Sequence, residues 1–399
     1  MTTSAATLIT GIGELTTNTA EFGVVHDAAI VLEGERVVWI GPGAHTPDAD
    51  RRVDVGGRAV LPGWVDSHTH LVFAGDRTAE FEARMAGTPY SAGGIRTTVT
   101  ATRSASDADL AANLHRLRHE ALRQGTTCLE TKTGYGLTVT DEQRCAALAA
   151  AVADEVTFLG AHVVPPELSA TEYVDLVCGP MLAAVADYVG WIDVFCETGA
   201  FDAEQSARVL TAGRARGLGL RVHGNQLGSG PGVQLAVRHG ATSVDHCTHL
   251  TEADIDALAG SATVATLLPA CDLSTRQPLA PARRLLDAGA SIALATNANP
   301  GSSYTTSMAF CVATAVLQMR LSVAEAIWAA TAGGALALGR DLAAPGAVGV
   351  IRPGARADLH VLDAPSVVHL AYRPGVPSTW AVWHAGRHVV SPDRSRPSG

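Results

Sequence analysis

Residues 59–70 read AVLPGWVDSHTH, an apolar run that ends at Asp66 and then sets His68 and His70 two positions apart. In extended backbone, residues two apart point to the same side, so both imidazoles reach toward one point. Working outward, the pattern recurs. TTCLET (126–131), VTFLGA (156–161), IDVFCE (192–197), GLRVHG (219–224), TSVDH (242–246), TVATLLP (263–269) and SIALAT (291–296) follow, giving eight candidate strands in all. Amphipathic stretches lie between them. Ser106 precedes DADLAANLHRLRHEALRQ and Gly125 follows it; Asp202 with Gln205, and Ser322 with Glu325, have capping-box spacing; Gly217 closes the helix that Asp202 opens. Strands alternating with helices imply a parallel sheet, and eight of them imply closure. The expected fold is α/β, a (β/α)8 TIM-like barrel. An open doubly wound sheet would carry a glycine-rich phosphate turn after an early strand; the sequence has none.

The chain ends have a different texture. AAIVLEGERVVWIGPG (28–43) alternates apolar and polar residues around Gly34, and the tail repeats this in IRPGARADLHVLD (351–363) and STWAVWHAGRHVV (378–390). Residues 1–60 and 346–399 therefore read as one small β-sandwich domain built from both ends, with the barrel over 61–345.

In 399 residues, 47% hydrophobic and 17% charged, the chain can bury a large core, which speaks against disorder. A formal net charge of −10 speaks against nucleic acid and against a polybasic membrane surface, while leaving room for a locally positive site. The first residues carry no Lys or Arg before their apolar positions, and no apolar run reaches membrane-spanning length. The seven Cys are scattered and never form CxxC. Reduced thiols in a cytoplasmic protein are expected.

In such a barrel, reactive groups cluster where strands end. Here the strands end at Asp66, His68 and His70; Glu130 and Lys132; His162; Glu197; His223; Asp245 and His246; and Asn297. His223 can join His68 and His70 as a third ligand, and three His with an open position suit a catalytic zinc. His246 is then free for proton transfer. Asp245 is its neighbour in a strand, points the other way, and is not expected to orient it. Lys132 reads as an ion-pair partner of Glu130, which favours one metal over two. Arg77, in FAGDR, offers a fork that matches a carboxylate. Tyr135, in KTGYGL, sits where a loop can place a phenol over a ligand. Asn299-Pro300-Gly301-Ser302-Ser303 reads as a turn into a helix start, with amides for an anion or only a cap.

At PGWVDSHTHLVFAGDR (62–77) the chain resembles the metal-binding start of the amidohydrolase superfamily, and it is similar to the imidazolonepropionase family in particular. ETKTGYGL, FLGAHVVPPE, FCETGAFD, SVDHCTHL, ATLLP and NPGSS carry the resemblance across almost the whole chain, and IRPGARADLHVLD resembles the closing strands of the superfamily's small β-domain. The resemblance implies hydrolysis of the cyclic amide of 4-imidazolone-5-propanoate to N-formimino-L-glutamate, in histidine degradation, by a metal-activated water. It implies one divalent ion, zinc or iron, on His68, His70 and His223. Arg77, Tyr90, Tyr135 and His162 would hold the substrate and its propionate, with His246 as the acid/base. Barrels of this kind are commonly dimeric, so a homodimer is expected. Two positions depart from the family's pattern. Its strand-eight Asp is Asn297 here, in the place of a metal ligand and proton acceptor, and its HADE glutamate is Gln226. Neither amide accepts a proton at neutral pH, though each carbonyl oxygen accepts hydrogen bonds. Asn297 could still bind the ion weakly, and Gln226 could meet an imidazolone N–H. Two competing readings stay open: another cyclic-amide hydrolase or deaminase on this scaffold, and a degenerate barrel that binds without turnover.

Overall fold

Both chain ends enter one sheet. In the computed structural model, which describes residues 5–87 and 94–391, the first four strands are β1 (Ala6–Thr16), β2 (Val24–Glu33), β3 (Arg36–Pro42) and β4 (Arg51–Pro62). β1 runs antiparallel to β2 and parallel to β4. The β2–β3 hairpin turns at Gly34, whose φ of +55° a Cβ would resist. After the barrel the chain returns as β13 (Leu359–Leu362), β14 (Thr379–His384) and β15 (Arg387–Val390), giving a seven-stranded mixed sheet in the order β15-β14-β13-β4-β1-β2-β3. Ile9, Ile30, Val60, Leu359 and Trp383, one from each of five strands, share one apolar cluster.

Between these halves lie β5 (Trp64–Asp66), β6 (Thr126–Lys132), β7 (Glu155–Ala161), β8 (Trp191–Cys196), β9 (Gly219–Gly224), β10 (Ser243–His246), β11 (Val264–Leu267) and β12 (Ile292–Leu294). They pair in sequence order and all in parallel. The seam between first and last strand closes just beyond their ends: Asn297 N donates to His68 O at 2.9 Å and His70 N to Ala298 O at 3.0 Å. Asp66 reinforces it by accepting from Thr296 N (3.0 Å) and Thr296 Oγ1 (2.6 Å). This is the (β/α)8 barrel with a separate mixed sheet.

The helix signals act as their chemistry requires. Ser106 accepts from Asp109 N at the start of Asp107–Arg123, and both capping boxes form, opening Ala203–Ala215 and Val323–Ala330. Each such cap contributes about 1 kcal/mol. One signal is misleading. The stretch 299–303 does not run into a helix: Asn299 Oδ1 accepts from Gly301 N (2.8 Å) and Ser302 N (3.3 Å), so the asparagine itself takes those amides. The helix begins later, at Met308, capped by Ser307. No helix among the described residues is long and apolar enough to cross a membrane.

Candidate metal centre

Four imidazoles meet at the C-terminal mouth of the barrel. His68 and His70 follow β5, His223 lies near the end of β9, and His246 ends β10. His68 Nε2 is 3.2 Å from His70 Nε2, which is 3.5 Å from His223 Nε2. Ring nitrogens of His68, His223 and His246 also lie within 4.8 Å of one another. All four side chains are buried. Burial first, and then Lys132, holds His68 well below the usual histidine range; burial and His68 do the same to His70. Ring nitrogens this close need a proton or a cation between them to offset lone-pair repulsion.

Carboxylates fix which nitrogens face inward. Asp245 Oδ2 lies 2.6 Å from His68 Nδ1, and Asp193 Oδ1 lies 3.1 Å from His223 Nδ1. An Nδ1–H bound to a carboxylate leaves Nε2 as the lone-pair nitrogen, the arrangement that metal-ligating histidines use. Behind them, Lys132 Nζ reaches Glu130 Oε1 (2.9 Å), Asp193 Oδ2 (3.0 Å) and Asp245 Oδ2 (3.6 Å). Burial pulls the Lys132 ammonium toward neutrality, but the three carboxylates outweigh it and raise its pKa. Glu130 Oε2 also accepts from Thr69 N at 3.1 Å, pinning the residue between the two histidines.

Strand alternation breaks at β10. Asp245 and His246 are neighbours, yet both serve the centre, because His246 has φ +81° and leaves extended backbone. Such a conformation costs roughly 1–3 kcal/mol in a non-glycine residue and persists only where the surroundings enforce it. Asp245 orients His68 rather than His246, so alternation correctly separated it from its neighbour but gave no hint of its partner. His246 Nδ1 instead lies 4.0 Å from Cys271 Sγ, which accepts from Gln226 Nε2 at 3.7 Å. Burial and then His223 hold His246 well below the usual histidine range.

Asn297, 1% exposed, has φ +57°, which Asn tolerates. Its Nδ2 donates to Ser302 Oγ at 3.0 Å, while Oδ1 is buried with no hydrogen-bond partner among the described residues. Gln226 is held by its backbone: Glu197 Oε2 accepts from Gln226 N (2.9 Å) and Leu227 N (3.0 Å). The Tyr135 loop is clamped by Glu142, which accepts from Gly134 N, Gly136 N and Leu137 N at 2.8–3.0 Å. The Tyr135 ring stands 5.4 Å from His162 and 6.1 Å from His70. His162 Nδ1 pairs with Gly134 O at 3.0 Å, and burial followed by His223 lowers its pKa to about 3. Arg77 is turned toward Glu80, donating from Nε (2.9 Å) and Nη2 (2.6 Å). Its Nη1 sits against Gly301, where a Cβ would fall 1.9 Å away. Tyr90 lies outside the described residues.

The fold thus brings together His68, His70, His162, His223, His246, Tyr135, Gln226 and Asn297, with Arg77 reaching the 299–303 loop. Sequence reasoning missed Asp193, the clamp Glu142, and Cys271. Asp193 had a signal: an acid inside the apolar run WIDVFC must face either a partner or a cost.

A family model described as the amidohydrolase family matches residues 194–389. The chain is 72% identical over 385 residues to the imidazolonepropionase of Saccharopolyspora erythraea, covering 96% of this chain and 99% of that one. It is 65% identical to that of an Arthrobacter species (96% and 99% covered) and 61% identical to that of Streptomyces coelicolor (97% and 100%). In fold it resembles a zinc-bound atrazine chlorohydrolase of Arthrobacter aurescens, at TM-score 0.72, 18% identity, and 97% and 95% coverage. It also resembles a zinc-bound adenosine deaminase of Xanthomonas campestris, at TM-score 0.73, 20% identity, and 97% and 93% coverage.

Proposed function

Because the chain belongs to the imidazolonepropionase family of amidohydrolases, we propose that its barrel hydrolyses the cyclic amide of 4-imidazolone-5-propanoate to N-formimino-L-glutamate in histidine degradation. The observation that carries this is the convergence of ring nitrogens from His68, His70 and His223, with Nδ1 of His68 and His223 anchored on Asp245 and Asp193. That donor set fits one divalent ion, zinc or iron, on His68, His70 and His223, with the orphaned Asn297 Oδ1 as a weak neutral addition. When bound, the ion supplies Lewis acidity, lowering the pKa of water and polarising a carbonyl.

The chain's own residues handle the rest. Water adds across the ring amide: its oxygen goes to the carbonyl carbon, the C–N bond breaks, and a proton passes to the departing nitrogen. His246 is the group that carries that proton, since neither Asn297 nor Gln226 can. Gln226 accepts from a ring N–H, Tyr135 and His162 wall the ring, and Arg77, with Tyr90, takes the propionate. Glu80 occupies the Arg77 fork, so the substrate's carboxylate either displaces it or binds at the Nη1 side by Gly301. The barrel is the hydrolytic unit and the sheet built from both chain ends a separate domain, whose β4 runs to Pro62, two residues past the boundary of 60/61 expected from the sequence. The enzyme acts on a small carboxylate-bearing molecule, works in the cytoplasm, and pairs as a homodimer.

Hydrolysis of freshly made 4-imidazolone-5-propanoate, followed by loss of its ultraviolet absorbance with metal content measured on the same sample, tests this. Turnover that chelation abolishes and zinc or iron restores is the expected result. Bound metal without turnover would instead support a barrel that only binds.

A further inference from the structure

Lys132 pairs with two carboxylates that each hold a ligand of the proposed ion. Its ammonium is fully buried in the barrel, 3.0 Å from Asp193 Oδ2 and 3.6 Å from Asp245 Oδ2. Those carboxylates bind Nδ1 of His223 and His68. We propose that Lys132 is a positioning residue for the metal centre, holding Asp193 and Asp245 where they aim His223 and His68 at the ion. The proposal rests on the metal reading given above.

The chemistry of the residue matches the place. An ammonium has three N–H donors in a compact head, and three carboxylates, Glu130, Asp193 and Asp245, surround this one. They arrive from three strands, β6, β8 and β10, so one side chain ties three staves of the barrel beneath the histidine layer. Asp245 Oδ2 serves both His68 Nδ1, at 2.6 Å, and Lys132. Without the ammonium, three fully buried carboxylates would face one another with nothing between them. Repulsion in that dry interior would turn them apart and carry the imidazoles with them. Arg221, also fully buried and two residues before His223, does not substitute. It donates to Ala337 O at 2.7 Å and lies over the Trp191 ring at 4.1 Å.

Cobalt(II) is a suitable probe, with affinity read by competition against a chelator and ligand geometry by its visible absorption. The full-length variants are K132M and E130Q/K132Q. The second removes one charge of each sign and provides a folded protein if K132M does not fold. The expected result is cobalt binding weakened about 10–100-fold, the range typical of losing an outer support of a metal site, with an altered visible spectrum. A support that only stabilised the fold would leave both readouts unchanged in the folded variant. Parental affinity and spectrum in whichever variant folds would overturn the role of Lys132. Failure of the unsubstituted protein to take up one equivalent of cobalt would overturn the metal reading itself, a separate outcome.

Discussion

Replacing Asn297 by Asp puts a carboxyl where the structure holds an unpartnered amide oxygen, and the size of the effect follows from a neighbour. Asp66, fully buried at the end of the adjacent strand, is pushed by burial to about 7, even though Thr296 donates two hydrogen bonds to it. A carboxyl at position 297 meets the same burial and finds one donor, Ser302 Oγ, when no ion is present. A similar rise of about 3 units, at about 1.4 kcal/mol each, comes to about 4 kcal/mol. The sign follows from proton counting. Between pH 4 and 7 the folded variant keeps a proton that the unfolded chain has released, so stability falls as pH climbs through that window. At pH 4 the penalty is absent, and at pH 8 it is complete. With an unfolding entropy of about 2.1 cal/mol/K per residue, 4 kcal/mol corresponds to roughly 5 °C in Tm for a chain of this length. A divalent ion reverses the balance, because even unit charges about 4 Å apart attract by about 4 kcal/mol at an effective dielectric of 20. Thermal unfolding of metal-free and zinc-loaded N297D and parent, at pH 5 and pH 8, reads all of this. The metal-free variant should melt about 5 °C below the parent at pH 8, and zinc should close the gap. A gap that zinc leaves untouched would refute the placement of Asn297 beside the ion.

Two further predictions concern turnover. H246A should lower kcat by about 10²–10⁴ while retaining parental metal content, as expected of a proton carrier; loss of the metal would make His246 a ligand instead. R77A should lower kcat/KM about 10–100-fold, the scale of a hydrogen bond to a charged group. The same substitution should leave hydrolysis of an imidazolone lacking the propionate unaffected, and equal losses on both substrates would exclude a carboxylate contact.

Much of this site was legible because barrel strands end where chemistry begins. The HxH pair and His223 could be placed from alternation and strand order, whereas strand order alone brings His246 to the mouth, since its φ of +81° departs from alternation. What alternation could not supply was the partner of an inward-facing acid. Asp193 sits mid-strand among apolar residues and Asp245 just before the last residue of β10, and only closure of the barrel brings them to His223 and His68. Local chemistry also misleads where one side chain can satisfy backbone internally: Asn299 takes the amides of Gly301 and Ser302 that seemed free to start a helix or bind an anion. Arg77 shows a third limit. Its residue type suits a carboxylate, but no spacing rule says that Glu80 already fills its fork.

Placing charge one layer behind the ligands has a consequence for how this barrel retains its ion. With Asn at position 297, every proposed ligand is neutral, so the negative charge that favours a divalent cation comes from Asp193 and Asp245, acting through hydrogen bonds. Such support depends on angle as well as distance, and therefore on backbone that does not yield. Asn225, His246 and Asn297 all hold positive φ just where β9, β10 and β12 give way to the mouth. At Asn297 the closed seam supports that conformation, with Asp66 accepting from the preceding Thr296 and Asn297 N donating to His68 O. Loosening the seam, as in D66N, should then act like loss of an outer carboxylate. Metal affinity should fall before secondary structure does, and chelator competition alongside circular dichroism would separate the two. If both were lost together, strand-end rigidity would be a property of the whole fold rather than a specific support of the metal site.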